Sequence, residues 1–227
     1  MRFVAVALAA LVVAACSSTD DLVVVFETTT TITSSTTTTP ATTTTLAGYG
    51  DQVRPVTVAG DPLPPLTDSH ADPAIGRLIP TLTGEDYAGK PVTIGSDMGS
   101  PLLLVVLAHW CPHCNNEIPE LNAVRDAGRW PDGLEVIGIS SAIAPDRPNF
   151  PPERWLDDKD WTHRVLADGI DSERQVFIAG DALGVTGYPF MVLVDEAGVV
   201  RGRWSGERTA DELVALVSDL LAPPADA

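Results

Sequence analysis

Two cysteines, Cys111 and Cys114, stand two residues apart in His109-Trp110-Cys111-Pro112-His113-Cys114, directly after the apolar run 102–108, LLLVVLA. Three chemistries use such a pair: a structural bridge, half of a metal site, or a dithiol/disulfide couple. A bridge closing so small a loop removes little entropy from the unfolded chain, and a sequence that is 44% hydrophobic has apolar material enough without it. A closed zinc site wants four ligands, usually from two separated pairs. Here the nearby donors are His109, Cys111, His113 and Cys114, while His70 and His163 have no paired cysteine. Redox chemistry suits the position, where a buried strand ends and a helix begins. The unpaired N–H groups and dipole of a helix start favour a thiolate on the first cysteine. Cys114, one turn on, is placed to attack a mixed disulfide at Cys111, and Pro112 suits a first helical turn. A metal-holding or assembly role without exchange stays as the alternative.

The flanking elements place this pair. The run 101–108 is a continuous apolar stretch, the mark of a central strand buried on both faces. Residues 115–129 carry Ile118, Leu121, Val124 and Arg125 at helical spacing. LEVIGISSA, 134–142, predicts a second buried strand, residues 154–158 a short helix, 163–168 a strand and 173–183 a weak helix. MVLVD and VVRGRW, joined by Glu196-Ala197-Gly198, predict a hairpin. Thr209 with Glu212 forms a capping box for a last helix whose apolar face is Leu213, Leu216, Val217 and Leu220. Residues 90–94 predict a short early strand. Strand–helix–strand followed by a hairpin and a helix means an α/β domain with a mixed central sheet flanked by helices.

A formal charge of −17 in 227 residues argues against nucleic acid, whose phosphates need a basic face. It predicts a solvated acidic surface. At the N-terminus Met1 and Arg2 precede a short apolar region, Phe3 to Ala15, which ends in Val13-Ala14-Ala15-Cys16. This stretch resembles the bacterial lipoprotein lipobox. The resemblance implies a signal peptide over 1–15, cleavage before Cys16, and lipidation of Cys16, whose two or three acyl chains would hold the protein to a membrane. Residues 16–50 are then a stalk, with TTTTITSSTTTTPATTTT at 28–45 unable to bury a core and a mean reach of roughly 30 Å. Residues 51–74 form a proline-rich extension outside the core, 75–222 the folded domain and 223–227 a tail. An extracytoplasmic location permits disulfides and leaves Cys111 and Cys114 to pair with each other or with a partner protein.

Trp110-Cys111-Pro112-His113-Cys114, Pro119 eight residues after the first cysteine, Gly187-Tyr188-Pro189-Phe190 before MVLVD, and DEAGVVRGRWSG at 195–206 together resemble the thioredoxin-fold TlpA-like thiol-disulfide oxidoreductases of the redoxin superfamily. The resemblance covers roughly 75–221. It implies a thioredoxin-like fold with an N-terminal hairpin extension, PTLTGEDYAGKPVTI, and a small central insertion between Ser141 and His163. Cys111 would be the nucleophile and Cys114 the resolving cysteine. Trp110, Pro112, His113, Tyr188 and Pro189 would support them, with Pro189 in cis presenting the Tyr188 backbone to an extended substrate. Exported proteins with thiols or disulfides and a membrane redox partner would be the partners. No cofactor or metal is expected beyond the cysteine pair itself. Val105 stands where thioredoxins carry a buried acid, which leaves water, Glu117 or a residue of the insertion to take the Cys114 proton. Peroxiredoxins use a lone peroxidatic cysteine in another motif, so peroxidase activity is not implied.

The direction of exchange stays open. Pro112-His113 resembles the dipeptide of the oxidising DsbA-type enzymes, although 143–163 is too short for their helical insertion. The TlpA-like pattern goes instead with reductases, including those serving cytochrome c maturation. His109 is expected to be a spectator at an exposed strand end. Trp110 is expected to wall the sulfurs, and Trp130, Trp155, Trp161 and Trp204 to pack.

Overall fold

The structure, a computed structural model, describes residues 48–68 and 70–223. The expected signal segment, Cys16 and the Thr-rich stretch lie outside these residues. In chain order the elements are β1 (Thr57–Ala59), β2 (Thr81–Glu85), β3 (Pro91–Ile94), β4 (Leu102–Leu107), α1 (Pro112–Asp126), β5 (Glu135–Ser140) and α2 (Pro152–Asp158). There follow β6 (Arg164–Ala167), β7 (Ile170–Asp171), β8 (Val176–Phe177), α3 (Ile178–Ala182), β9 (Phe190–Val194), β10 (Val200–Ser205) and α4 (Ala210–Leu221).

A five-stranded sheet in the order β10–β9–β4–β5–β6 forms the centre. β4 pairs parallel with β5, and β5 with β6, while β9 runs antiparallel to β4 and β10 antiparallel to β9. Every residue of β4 is buried, because layers cover both faces of the sheet. Leu103, Val105 and Leu107 face α1 and α4, joining Ile118, Leu121, Val124, Leu213 and Val217. Leu102, Leu104 and Val106 face the other way, against α3 and a second sheet, β1–β2–β3. Alternation along one strand therefore divides a single apolar run between two cores. This is the expected mixed sheet flanked by helices. α4 begins at Thr209 with both halves of the capping box made, and Leu213 and Val217 are its buried residues.

Two stretches differ from the sequence expectation. Residues 170–177 form the hairpin β7–β8 and only Ile178–Ala182 is helical, where a helix over 173–183 was expected. Asp171 explains the early part. Its carboxylate accepts the N–H groups of Glu173 and Arg174, closing a turn that competes with helix. The proline-rich segment, expected outside the core, packs into it instead. Val56, Leu63, Leu66 and Ala74 are buried, and β1 pairs with β2.

That segment is held by one buried ion pair. The Arg203 guanidinium on β10 donates from Nε to Asp72 at 2.8 Å and from Nη2 to the other carboxylate oxygen. Its Nη1 donates to the carbonyls of Pro64 and Leu183. One arginine thus ties the extension, α3 and the sheet edge together. Gly184 sits in the same knot with φ +68, and the Pro64 carbonyl occupies the space a Cβ would need. Burial alone would raise Asp72, but the Arg203 hydrogen bonds and the Ala74 N–H outweigh it and hold the carboxyl below its ordinary value. A lowered pKa in the folded state means that the stabilisation is present above about pH 4 and is lost as pH falls through the lowered value. Replacing Asp72 by Asn leaves a buried cation short of its partner, so a loss of about 3 kcal/mol or more is expected in denaturant unfolding at pH 7. The gap to wild type should shrink as the pH falls below about 4.

Candidate active site

Cys111 is the N-cap of α1, in extended backbone at φ −78° and ψ 121°, with Pro112 opening the first turn. The chain leaves β4, turns through Ala108 to Cys111 with a Cys111 N–H to Ala108 carbonyl bond of 3.0 Å, and enters the helix. The Cys111 sulfur, on a residue 5% exposed, donates to the Tyr188 carbonyl at 3.4 Å. Cys114 lies one turn deeper, with no exposed surface. Its sulfur accepts the Ala108 N–H at 3.5 Å. Burial pushes the Cys114 thiol well above its ordinary value, the neighbouring Cys111 and Glu117 push the same way, and the Ala108 N–H only partly offsets them. Both cysteines are free thiols.

Behind Cys114, on the same buried side of α1, stands Glu117. It is fully buried, and Oε2 accepts the Arg208 N–H at 2.7 Å while Oε1 has no protein partner. Burial raises its pKa to about 7, helped by Glu207 and Glu120 and opposed by the Arg208 bond. Val105 lies wholly inside β4 and carries no titratable proton. The buried carboxylate therefore comes from the helix, one turn past the second cysteine.

The loop before β9 completes the mouth. The Tyr188–Pro189 peptide is cis, and the Pro189 carbonyl accepts the Gly206 N–H at 3.0 Å and the Ser205 hydroxyl at 3.1 Å. Trp110 meets Tyr188 edge to face at 6.1 Å and donates its indole N–H to the Ala142 carbonyl at 2.7 Å. The Arg147 guanidinium lies over the Trp110 ring, 5.4 Å from the ring centre. His113 is exposed and faces Glu207, Nδ1 to Oε1 3.2 Å.

His109 is not at an exposed strand end. It is fully buried, and its Nδ1 lies 2.7 Å from the Pro148 carbonyl. Its Nε2 lies 3.1 Å from the Ala144 N–H. A carbonyl can only accept and an amide N–H only donate, so the ring is neutral with its proton on Nδ1. Burial lowers its pKa, which keeps it so, against the Pro148 bond. Its backbone carbonyl accepts from Asn149 at 2.8 Å. His109 thereby anchors the first part of the insertion through Ala144, Pro148 and Asn149. Among the other tryptophans, Trp155 does more than pack. It donates to Asn115 Oδ1 at 3.0 Å, and Asn115 Nδ2 donates to the Cys111 carbonyl at 2.9 Å.

Asp168 escaped the sequence reading. Wholly buried at the end of β6, it accepts the N–H groups of Gly169, Ala179 and Gly180 and the Ser141 hydroxyl. Burial raises it to about 6 against those bonds. It orders the start of α3 and so the loop that leads to Tyr188. An Asp-Gly at a strand end was the only signal, and many turns carry it. Among the described residues no group of three or more His, Cys, Asp or Glu side chains is placed to hold a metal ion. Both ring nitrogens of His109 are already engaged.

A β–α–β core whose helix starts on a cysteine pair, facing a cis proline, defines a thioredoxin-like dithiol domain. The chain belongs to the AhpC/TSA family, whose model matches residues 75–203. It is 32% identical over 136 residues to the thiol:disulfide interchange protein DsbE of Vibrio cholerae, covering 59% of this chain and 66% of that protein. It is also 32% identical over 111 residues to the DsbE of Haemophilus influenzae, covering 48% and 52%. The chain thus spans less than two thirds of the length of these relatives in one case and about half in the other. Among solved structures, a thiol:disulfide interchange protein of the thioredoxin family from Chlorobium tepidum aligns with a TM-score of 0.51 at 24% identity, covering 67% of this chain and all of that one. That likeness bears on the fold. No helix among the described residues is long and apolar enough to cross a membrane.

The unequal burial of the two sulfurs has a direct consequence. In the reduced protein at pH 8, iodoacetamide should modify Cys111 at least about tenfold faster than Cys114, because the thiolate is the nucleophile and the deeper thiol is both raised and shielded. Quenched time points resolved by peptide mass spectrometry would show it, and equal rates would contradict the assignment.

Proposed function

We propose that this protein is a thiol-disulfide oxidoreductase that exchanges with exported proteins, held outside the cytoplasm by lipid on Cys16. The observation that carries the reading is the pair of sulfurs at one helix start. One is 5% exposed and lies against the Tyr188 carbonyl, and the other, with no exposed surface, sits one turn behind it.

As an acceptor of electrons from a substrate dithiol, the oxidised protein is attacked at Cys111 by the substrate thiolate. The Cys111–Cys114 bond breaks as the mixed disulfide forms, and the Cys114 sulfur leaves with the electron pair and takes up a proton. The second substrate thiolate then attacks the substrate sulfur of the mixed disulfide, forms the substrate disulfide and releases Cys111 as a thiol. In the other direction the Cys111 thiolate attacks a substrate disulfide and releases one substrate thiol. Cys114 then attacks the mixed disulfide, releases the second thiol and re-forms the internal bond. In both directions Cys114 must gain or lose a proton while buried. Glu117 supplies the place for it. Its carboxylate is raised to about 7, has an oxygen without a protein partner, and lies one helical turn past Cys114 on the buried side of α1. A group poised near the working pH is suited to both acceptance and donation. Glu117 thus takes the role for which the sequence offered three candidates. The pair needs no bound cofactor. A membrane redox partner would restore its working oxidation state.

The first test is exchange between the purified full chain and glutathione buffers. Cys111→Ser should abolish it, and Cys114→Ser should trap mixed disulfides with exported proteins. A potential near about −120 mV would mark an oxidant and one near about −270 mV a reductant. Absence of exchange, with tightly bound stoichiometric metal instead, would overturn the reading. Glu117→Gln should slow resolution of a Cys111 mixed disulfide by about tenfold or more and remove the pH dependence of that step around pH 7. In a bacterial host Cys16→Ser should release the protein from the membrane fraction.

A further inference from the structure

The loop between β10 and α4 is pinned at three successive points to the site. The Gly206 N–H donates to the Pro189 carbonyl at 3.0 Å. The Arg208 N–H donates to Glu117 at 2.7 Å, and the Ala210 N–H to Glu120 at 2.7 Å. Gly206, at φ +94, allows the turn between the first two anchors. Glu207 is the residue held between them. Its carboxylate reaches the first turn of α1, where Oε1 lies 3.2 Å from His113 Nδ1. The neighbouring Asn116 side chain and the His113 ring keep it below the ordinary carboxylate range, so it carries its charge at neutral pH. The neighbouring cation does not compete for it closely, since the Arg208 guanidinium is turned over the Trp204 ring at 6.0 Å.

We propose that Glu207 is a positioning residue that engages the histidine between the cysteines and thereby biases the Cys111–Cys114 couple toward the reducing side. This rests on the oxidoreductase reading above. A histidine in that dipeptide can place an N–H or a positive charge near the Cys111 sulfur, which stabilises the thiolate, hence the dithiol form, and makes the disulfide a stronger oxidant. Glu207 takes that N–H for itself and offsets the charge. It also sets an anion at a helix start, where negative charge on the sulfur would otherwise be favoured. Glu207 therefore opposes what Pro112-His113 alone would do. It is a surface carboxylate 94 residues away in the chain.

The equilibrium with glutathione tests this. In the reaction the dithiol gives two electrons and two protons to glutathione disulfide, the Cys111–Cys114 bond forms, and two glutathione thiols are released. For Glu207→Gln in the full chain, the equilibrium is expected to shift about threefold toward the dithiol form, as befits an exposed pair, or about 14 mV to higher potential. In a His113→Gln background the same change should lose at least half of its effect. A shift below about 1.5-fold, a shift of opposite sign, or one of equal size without the histidine would overturn the proposal. A purely structural role would lower the melting temperatures of the dithiol and disulfide forms alike and leave the potential unmoved, which would also overturn the proposal. Failure of the wild-type chain to equilibrate with glutathione at all would instead refute the oxidoreductase reading on which this rests.

Discussion

Desolvation at the start of α1 is the constraint on which the rest of the site depends. The helix opens at the buried end of β4, so its second cysteine and the glutamate one turn later have no exposed surface. Both are pushed toward their neutral forms. A charge on either costs far more there than at the surface, and the first cysteine differs from the second chiefly in reaching the mouth. The asymmetry that exchange chemistry needs is a burial gradient along a single helical turn.

Holding that turn still takes elements from across the chain. Trp155 of α2 fixes Asn115, which fixes the Cys111 carbonyl. His109 anchors the insertion from below. Asp168 orders the start of α3 and through it the approach to the cis proline. The Arg203–Asp72 pair draws the proline-rich segment onto the opposite face. Each is a buried polar group with its hydrogen bonds made, and such groups specify one arrangement because any other leaves them unpaired.

Electrostatics in this site divides by depth. Glu117 and Asp168 lie inside, where burial dominates and shifts their protonation toward neutral pH. His113 and Glu207 lie outside, where water and salt weaken the interaction. Depth thus decides which carboxylates are governed by burial and which by solvent screening.

Periodicity and motif spacing made much of the frame legible before any coordinates. The apolar run of β4, the capping box at Thr209, the β9–β10 hairpin and the placement of Cys111 and Cys114 at a strand-to-helix junction all follow from local patterns. Such patterns report backbone preference and which side of an element is apolar. What they could not report is which distant groups meet. The burial of His109, that of Val56, Leu63, Leu66 and Ala74, the hairpin at 170–177, the desolvation of Glu117 and the approach of Glu207 to His113 were all decided in three dimensions. In each case the deciding quantity is a contact between residues far apart in the chain, or the solvent it excludes, and neither is written in any local stretch of sequence.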